Sequence, residues 1–249
     1  MKKLSVLIVI HNEESQIEDC LKTVKFADEI IVILDNCTDN SIKIVKKYTK
    51  TYYSGNWKIE GERRNFGISK CTKDWILEID ADERIPIKLK NEINKIIQTS
   101  QCDWHKIQVN NYLGTKLINY GWGAYFGKSA YAGLFRKNKK FWGNQRVHPK
   151  IDLYGVEGKI LTNKLTHFYC KNTSDLFLKL DNYSSARAND LKFSKSNESL
   201  SRNIRRIFSR FWKCYFLRKG YKEKEVGFLI AIVAAFYPIL SYLKYKEKL

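Results

Sequence analysis

Apolar and polar residues alternate along the first hundred positions in blocks whose lengths suit strands and helices. Leu4–Ile10 is a continuous apolar, β-branched run, too short for a helix and too apolar for an exposed edge, so it predicts a central strand of the parallel type. His11-Asn12-Glu13-Glu14-Ser15 follows as a loop and helix start, Ile17, Leu21 and Val24 mark one helical face, and residues 29–34 return as a second strand. Asp35-Asn36-Cys37-Thr38-Asp39-Asn40-Ser41 is a polar turn rich in capping residues, with Ile42, Val45 and Tyr48 behind it on a second helix. Residues 51–53 predict a short third strand and residues 62–71 a further helix. Trp75-Ile76-Leu77-Glu78-Ile79 then reads as a buried strand delivering Asp80-Ala81-Asp82-Glu83 to its carboxyl end. Such alternation implies a mostly parallel sheet covered by helices on both faces, with ligands at the strand carboxyl ends. All three polar clusters fall at such ends.

After Pro86 the pattern changes. A helix to about residue 98 gives way to a stretch dense in glycine and aromatics: Tyr112, Tyr120-Gly121-Trp122-Gly123, Tyr125-Phe126-Gly127, Tyr131 and Phe141-Trp142-Gly143. Rings can stack on the C–H face of a sugar while glycine lets the backbone approach; the same rings equally suit the core of a small strand-rich subdomain. From about Ser174 the chain reads as helical. Residues 202–213 interleave arginine with aromatics at helical spacing, as in a helix lying on an anionic membrane surface. Residues 228–243 are an apolar run containing Pro238, flanked by lysines and shorter than the ~20 residues of a comfortable bilayer span. It is expected as an interfacial or monotopic segment, the alternative being a buried helical hairpin or an oligomer contact.

Charge sharpens this division. The net +19 is uneven: residues 1–100 hold 17 Lys+Arg against 16 Asp+Glu, residues 101–170 hold 11 against 3, and residues 171–249 hold 17 against 7. The excess lies outside the first half and favours an anionic partner such as phospholipid, a phosphorylated glycan or nucleic acid. Nucleic acid is not expected, because the first hundred residues are nearly neutral and no helix-turn-helix, zinc-finger or RNP-like motif is visible. Six scattered cysteines form no C-x-x-C pair and no signal peptide precedes the first strand, so a reducing cytoplasm is the expected compartment.

The candidate chemistry sits at Asp80 and Asp82. Two acids at i and i+2 on an extended segment point the same way, and a carboxylate pair at a strand terminus suits a hard cation and a phosphorylated substrate. A lone Asp-X-Asp also occurs in surface turns, so its weight comes from the motifs around it.

Those motifs, in order, are Ser5-Val6-Leu7-Ile8-Val9-Ile10-His11-Asn12-Glu13-Glu14, Asp35 to Ser41, Gly61-Glu62-Arg63-Arg64-Asn65-Phe66-Gly67, and Asp74 to Glu83. Together they resemble the inverting family 2 glycosyltransferases of the GT-A fold, and within them the group of lipopolysaccharide core β-1,4-glucosyltransferases. The resemblance covers residues 1–170 well and the remainder loosely. It implies an α/β, Rossmann-like fold with residues 1–100 as the nucleotide-sugar half, 101–170 as the acceptor side and 171–249 as a helical, basic, membrane-associating appendage. It further implies that His11, Glu13 and Asp35 hold the uridine, that Arg63, Arg64 and Asn65 lie near the base or diphosphate, that Asp80 contacts the ribose or donor sugar, and that Asp82 coordinates Mg2+ or Mn2+.

An inverting transfer needs a base opposite the leaving group. Here the chain departs from its relatives, which often carry a glutamate after the residue matching His148, where this chain has Pro149. His148 and Asp152 are the candidates, with Glu83 close to the acidic motif. The implied activity is transfer of a hexose, glucose first, from a UDP-sugar to a lipopolysaccharide core or other cell-envelope acceptor on the inner face of the cytoplasmic membrane. A polyprenyl phosphate or protein acceptor is the alternative. Oligomeric state is not encoded in any of these motifs.

Overall fold

The structure, a computed structural model, describes residues 1–122, 126–145, 149–194 and 198–247. In chain order its elements are β1 (Leu4–Ile10), α1 (Ile17–Thr23), β2 (Glu29–Asp35), α2 (Ser41–Val45), β3 (Tyr52–Gly55), α3 (Glu60–Lys70), β4 (Trp75–Ile79), β5 (Glu83–Arg84) and α4 (Ile87–Thr99). There follow β6 (Trp104–Leu113), β7 (Lys116–Ile118), β8 (Ala130–Arg136), β9 (Lys140–Trp142), β10 (Ile151–Leu153), β11 (Leu161–Cys170), α5 (Thr173–Phe193), α6 (Leu200–Trp212) and α7 (Lys224–Glu247).

These elements form two compact units, residues 1–109 with 129–167 and residues 110–128 with 168–249. The division differs from the expected cuts at 100 and 170. Residues 110–128 group with the C-terminal helices because Ile118 and Phe126 are buried in the same cluster as Tyr169, Leu176, Ile230 and Tyr237.

In the first unit the sheet runs β3-β2-β1-β4-β8-β6-β11-β5. Its first four strands are parallel, with Val6 opposite Ile30 and Leu7 opposite Glu78. The sequence pattern predicts a mostly parallel sheet, but parallel pairing stops at β4: β8 runs antiparallel to β4, β6 to β8 and β5 to β11. The reason lies in the connections. Between α4 and α5 no helix is found among the described residues, and strands linked by loops alone pair antiparallel.

Both faces of β1 are covered, which explains a run that is apolar at every position but Ser5, whose hydroxyl donates to Glu29. Leu4, Val6, Ile8 and Ile10 pack with Ile17 and Leu21 of α1, Val45 of α2, and Leu89 and Ile93 of α4. Leu7 and Val9 pack on the opposite face with Ile31, Ile33 and Ile68 of α3. Each fully buried aliphatic side chain of this kind contributes roughly 1.5–3 kcal/mol. The close seat of α3 depends on Gly67, where a Cβ would stand 2.6 Å from Leu7 Cδ1 and 3.0 Å from Ile33 Cγ1. That seat fixes where the polar residues of α3 point.

The second unit is built on α5, α6 and α7. Asn172 caps α5 by accepting from the Asp175 amide, and Ser199 caps α6 by accepting from that of Arg202. The expected apolar segment at 228–243 is the middle of α7, a helix of 24 residues with Pro238 inside it. By length and composition α7 could cross a membrane, yet half of its most apolar stretch is buried within the protein.

Candidate active site

The loops after β1 and β2 interlock at the carboxyl edge of the sheet. His11 Nδ1 lies 2.7 Å from the Asp35 carbonyl oxygen, which can only accept, so Nδ1 carries the proton. Asn12 adopts the left-handed conformation (φ 55°) that asparagine tolerates, and its Oδ1 accepts from the Thr38 amide at 2.7 Å. The Glu13 amide donates to Ser41 Oγ at 2.9 Å, and Glu14 accepts from the Asn40 amide at 2.8 Å. His11, Glu13 and Asp35 are thereby brought to one edge, as the sequence motifs imply.

Two consecutive arginines of α3 then tie this edge together. Arg63 Nη1 donates to Asp35 Oδ2 at 2.7 Å, while the other oxygen of Asp35 accepts from the Trp57 amide at 3.0 Å. Arg64 reaches the next strand end: its Nη1 donates to Glu78 Oε1 at 2.8 Å and its Nη2 to Asp80 Oδ1 at 3.0 Å, with Nε on Glu60 at 2.9 Å. Arg63 Nε is buried without a hydrogen-bond partner among the described residues. A buried donor of this kind is costly to leave unsatisfied and is free to take an acceptor from water or a ligand.

Beneath Arg64 lies a buried charge cluster that the sequence motifs did not announce. Lys140 of β9, only 1% exposed, donates to Glu78 Oε2 at 2.7 Å and to the Ala132 carbonyl at 2.9 Å. Burial alone would raise the Glu78 pKa, but the Lys140 ammonium and the Arg64 guanidinium outweigh it and hold Glu78 below its ordinary value. For Arg64 burial acts to discharge the group, and Asp80, Glu78 and Glu60 more than reverse it. Two cations facing Glu78 and Asp80 fix the charge of this edge before any ligand arrives.

The acidic motif itself forms a turn. β4 ends at Ile79, and the Glu83 amide donates back to the Asp80 carbonyl at 3.0 Å, so Asp80 and Asp82 do not share the single direction expected of an extended segment. Asp80 faces Arg64, whereas Asp82 Oδ2 lies 3.2 Å from His167 Nε2 on β11. Glu83 is fully buried; its carboxylate accepts from the Asp80 amide at 2.9 Å and from the Tyr131 hydroxyl at 3.0 Å. Burial, and next the Glu83 charge, push the Tyr131 pKa well above its ordinary value, so this hydroxyl stays a donor. Arg84 completes the turn by donating to the Ala81 carbonyl at 2.7 Å and to that of Gln16 at 3.0 Å. Glu83 thus braces the turn from beneath.

The remaining expected residues are placed unequally. Asn65 clamps β9, its amide donating to the Trp142 carbonyl at 2.7 Å and accepting from the Trp142 amide at 2.9 Å. Its neighbour Gly61 admits the Gly143 carbonyl where any Cβ would collide. Asp152 pairs in register with Phe141 on the two-stranded β9–β10 sheet. Paired residues share a face and successive residues along a strand do not, so Asp152, opposite Phe141, lies on the other face from that by which Lys140 and Trp142 reach Glu78. It sits instead with the exposed rings of Phe141 and Tyr154, its carboxylate 2.8 Å from Lys150 Nζ. His148 lies outside the described residues, as does Tyr125. Of the aromatics expected at a sugar-binding surface, Phe126 is core, and the Trp142 ring stacks over Arg64 at 4.7 Å. His167, Glu78 and Lys140 are the site residues the sequence reading missed. The alternation of Leu161, Leu165 and Tyr169 with Thr162, Lys164 and Thr166 is a period-two signal in the sequence that puts His167 on the inward face.

Comparison with known proteins agrees with this geometry. The family model described as glycosyl transferase family 2 matches residues 5–156. An uncharacterized glycosyltransferase of Rickettsia typhi is 28% identical over 99% of this chain and 88% of its own length. The lipopolysaccharide core biosynthesis glycosyltransferase LpsC of Rhizobium meliloti is 24% identical, over 98% of this chain and 92% of its own length. Among solved structures, S. aureus TarS 1-349 in complex with UDP shares the fold with a TM-score of 0.53 at 13% identity, covering 98% of this chain and 89% of that one. With the sheet edge, the acidic turn and a family match over most of the chain in agreement, this protein is a glycosyltransferase of the GT-A fold and belongs to glycosyl transferase family 2.

Proposed function

We propose that the chain transfers a hexose, glucose first, with inversion from a UDP-sugar to a lipopolysaccharide core or related cell-envelope glycan, with Mg2+ or Mn2+ as cofactor. The observation that carries this reading is the acidic turn after β4, with Asp80 held by Arg64 and Asp82 beside His167.

The residues fit such a cation. Asp82 and His167 offer a carboxylate and an imidazole, and no group of three or more His, Cys, Asp or Glu side chains that could hold a metal is found among the described residues. Asp82 would supply the oxygen donor that such a cation prefers, with the His167 imidazole beside it. Bound there, the ion supplies neutralisation of the charge developing on the departing diphosphate. Around it the protein's own groups have separate tasks. His11, Glu13 and Asp35 take the uridine, with the buried Nε of Arg63 open to an acceptor on the base. Asp80, oriented by Arg64, meets the ribose or donor sugar. Glu83, Tyr131 and Arg84 hold the turn in one shape, so little reorganisation accompanies the reaction. Asn65 acts through β9 rather than on the diphosphate. His148 and Asp152 are the candidate bases, and the place of Asp152 beside Lys150, on the face of its sheet away from Glu78, favours His148.

The acceptor assignment follows the likeness to LpsC over nearly the whole length of both chains. A peripheral position on the inner face of the cytoplasmic membrane belongs to the same proposal. A panel of UDP-glucose, UDP-galactose and UDP-N-acetylhexosamines, each with and without Mn2+, tests the donor by thermal shift, since a ligand bound to the native state raises the melting temperature. UDP-glucose with Mn2+ is expected to give the largest shift, and labelled glucose is expected on core oligosaccharide. Label appearing only on extracted polyprenyl lipid would overturn the acceptor; absence of a shift with every UDP-sugar would overturn the donor.

A further inference from the structure

Helix α6 is built inside out for a water-soluble protein. Its apolar residues recur every fourth position, at Leu200, Ile204, Phe208 and Trp212, and continue as Phe216 in the π-helical turn Lys213–Leu217 that follows. Every one of them faces outward: Leu200 is 50% exposed, Ile204 44%, Phe208 72%, Trp212 56% and Phe216 43%. The face turned to α7 buries a single ring, Phe211 on Phe228, and otherwise carries polar groups. Asn203 is buried and bonded to Glu198, Arg206 pairs with the same Glu198 at 2.7 Å, and the Arg210 guanidinium lies over the Tyr237 ring of α7. A helix of a soluble domain turns its apolar stripe to the core and its charges to water. Here the second unit has core enough without that stripe, through Leu176, Leu180, Ile230, Ala234 and Tyr237.

The exposed stripe is framed by cations. Between residues 200 and 224 the chain holds nine Lys+Arg and one acid, Glu223, and that acid is buried, accepting from the Asn119 amide at 2.8 Å. Arg202, Arg205, Lys213, Arg218, Lys219 and Lys222 are all exposed. An apolar ridge of large rings inside a one-signed basic rim matches the two layers of an anionic lipid surface, acyl chains beneath and phosphates above. A second copy of this chain would bring the same positive rim against itself, and a nucleic acid would leave the ridge without an apolar partner. We infer that α6 and the turn after it form a surface that docks on an anionic bilayer, inserting Phe208, Trp212 and Phe216 below the level of the lipid phosphates. This gives the peripheral location in the reading above a specific set of residues.

The test uses the full chain and vesicles of phosphatidylcholine, with and without phosphatidylglycerol, scored by co-sedimentation. Wild type is expected to sediment with the phosphatidylglycerol vesicles and to be released by salt, since exposed charges are screened. Phe208→Ser with Trp212→Ser should weaken partition at least about 10-fold, and Arg202→Gln with Arg205→Gln should weaken it only on the anionic vesicles. Both pairs are solvent-exposed, and unchanged circular-dichroism melts confirm that the variants fold. Sugar transfer to a soluble oligosaccharide should be unaltered in both, which keeps the failure of docking distinguishable from a failure of the enzymatic reading. Folded wild type that ignores anionic vesicles overturns the inference, as does equal binding by the Ser pair. A dimer abolished by the Ser pair, without vesicle binding, overturns it in favour of a second copy. Stronger salt-sensitive binding to RNA than to vesicles does the same in favour of nucleic acid.

Discussion

Asp82 and His167 stand 85 residues apart in sequence and meet with 3.2 Å between Oδ2 and Nε2. The pairing is set by the sheet, since β11 runs antiparallel to β5 with His167 in register with Glu83, the residue after Asp82. A strand that had no motif of its own thus completes the acidic turn. Replacing His167 by Phe is expected to keep the fold and to raise the Mn2+ concentration needed for half-maximal transfer by at least about 10-fold. A titration of initial rate against Mn2+ decides it; an unchanged midpoint would leave His167 with packing alone.

Arg64 holds two strand ends, and its loss should be felt in stability as well as in turnover. Arg64→Met leaves Asp80 without its guanidinium and Glu78 with the Lys140 ammonium and the Trp142 indole N–H. Breaking a buried ion pair from one side costs about 3–5 kcal/mol, and the lower end is expected here because Lys140 remains. Arg64→Lys keeps the charge but not the fork that serves Glu60, Glu78 and Asp80 together, so it should recover only part of the loss. Urea midpoints at unchanged m-value measure both variants.

Glu92 gives a pH signature remote from the acidic turn. Burial would raise its pKa, but the amides of Thr162 and Asn163 donate to its two oxygens at 2.7 and 2.8 Å and hold it below the ordinary 4.5. A depressed carboxylate contributes stability above its unfolded-state pKa and loses it as pH falls through the folded value. Glu92→Gln should therefore be less stable than wild type at pH 7, by about 0.5–1.5 kcal/mol. The gap should close as the pH is taken below 4.5, which unfolding curves at a series of acidic pH values will show. A gap constant across that range would mean that the ionised form has no special role.

The two base candidates separate by substitution. Asp152→Asn removes a partner of Lys150 on an exposed sheet face, where ion pairs contribute little, and turnover should stay within about 2-fold of wild type. His148→Ala is expected to lower kcat by about 100-fold or more, the usual worth of a positioned base. A large loss in Asp152→Asn with little in His148→Ala would exchange their roles.

The strand ends were legible because the sequence writes them locally: β1 is a run of apolar residues covered on both faces, and the turn after it is a run of polar ones. Arg63 and Asp35 were named from motifs, and their ion pair follows from the seat of α3 on Gly67. What local pattern does not carry is pairing between distant strands. Nothing near Lys140 announces that it will be buried against Glu78, 62 residues earlier, and an apolar stem with a charged head reads as surface until its partner is known. The antiparallel half of the sheet was missed for a related reason: β8 and β11 are joined to their neighbours by loops with no periodic signal of direction. The extended reading of Asp80 and Asp82 failed at one residue, where β4 stops and Glu83 folds the chain back.

Binding of Mn2+ to the UDP-loaded protein, followed by the electron paramagnetic resonance signal of the free ion, compares wild type with Asp82→Asn without requiring the acceptor. Wild type should remove Mn2+ from solution only when UDP is present, and Asp82→Asn should bind at least about 10-fold more weakly while melting at the wild-type temperature. Equal Mn2+ uptake by a folded Asp82→Asn protein would mean that the turn after β4 does not hold the cation.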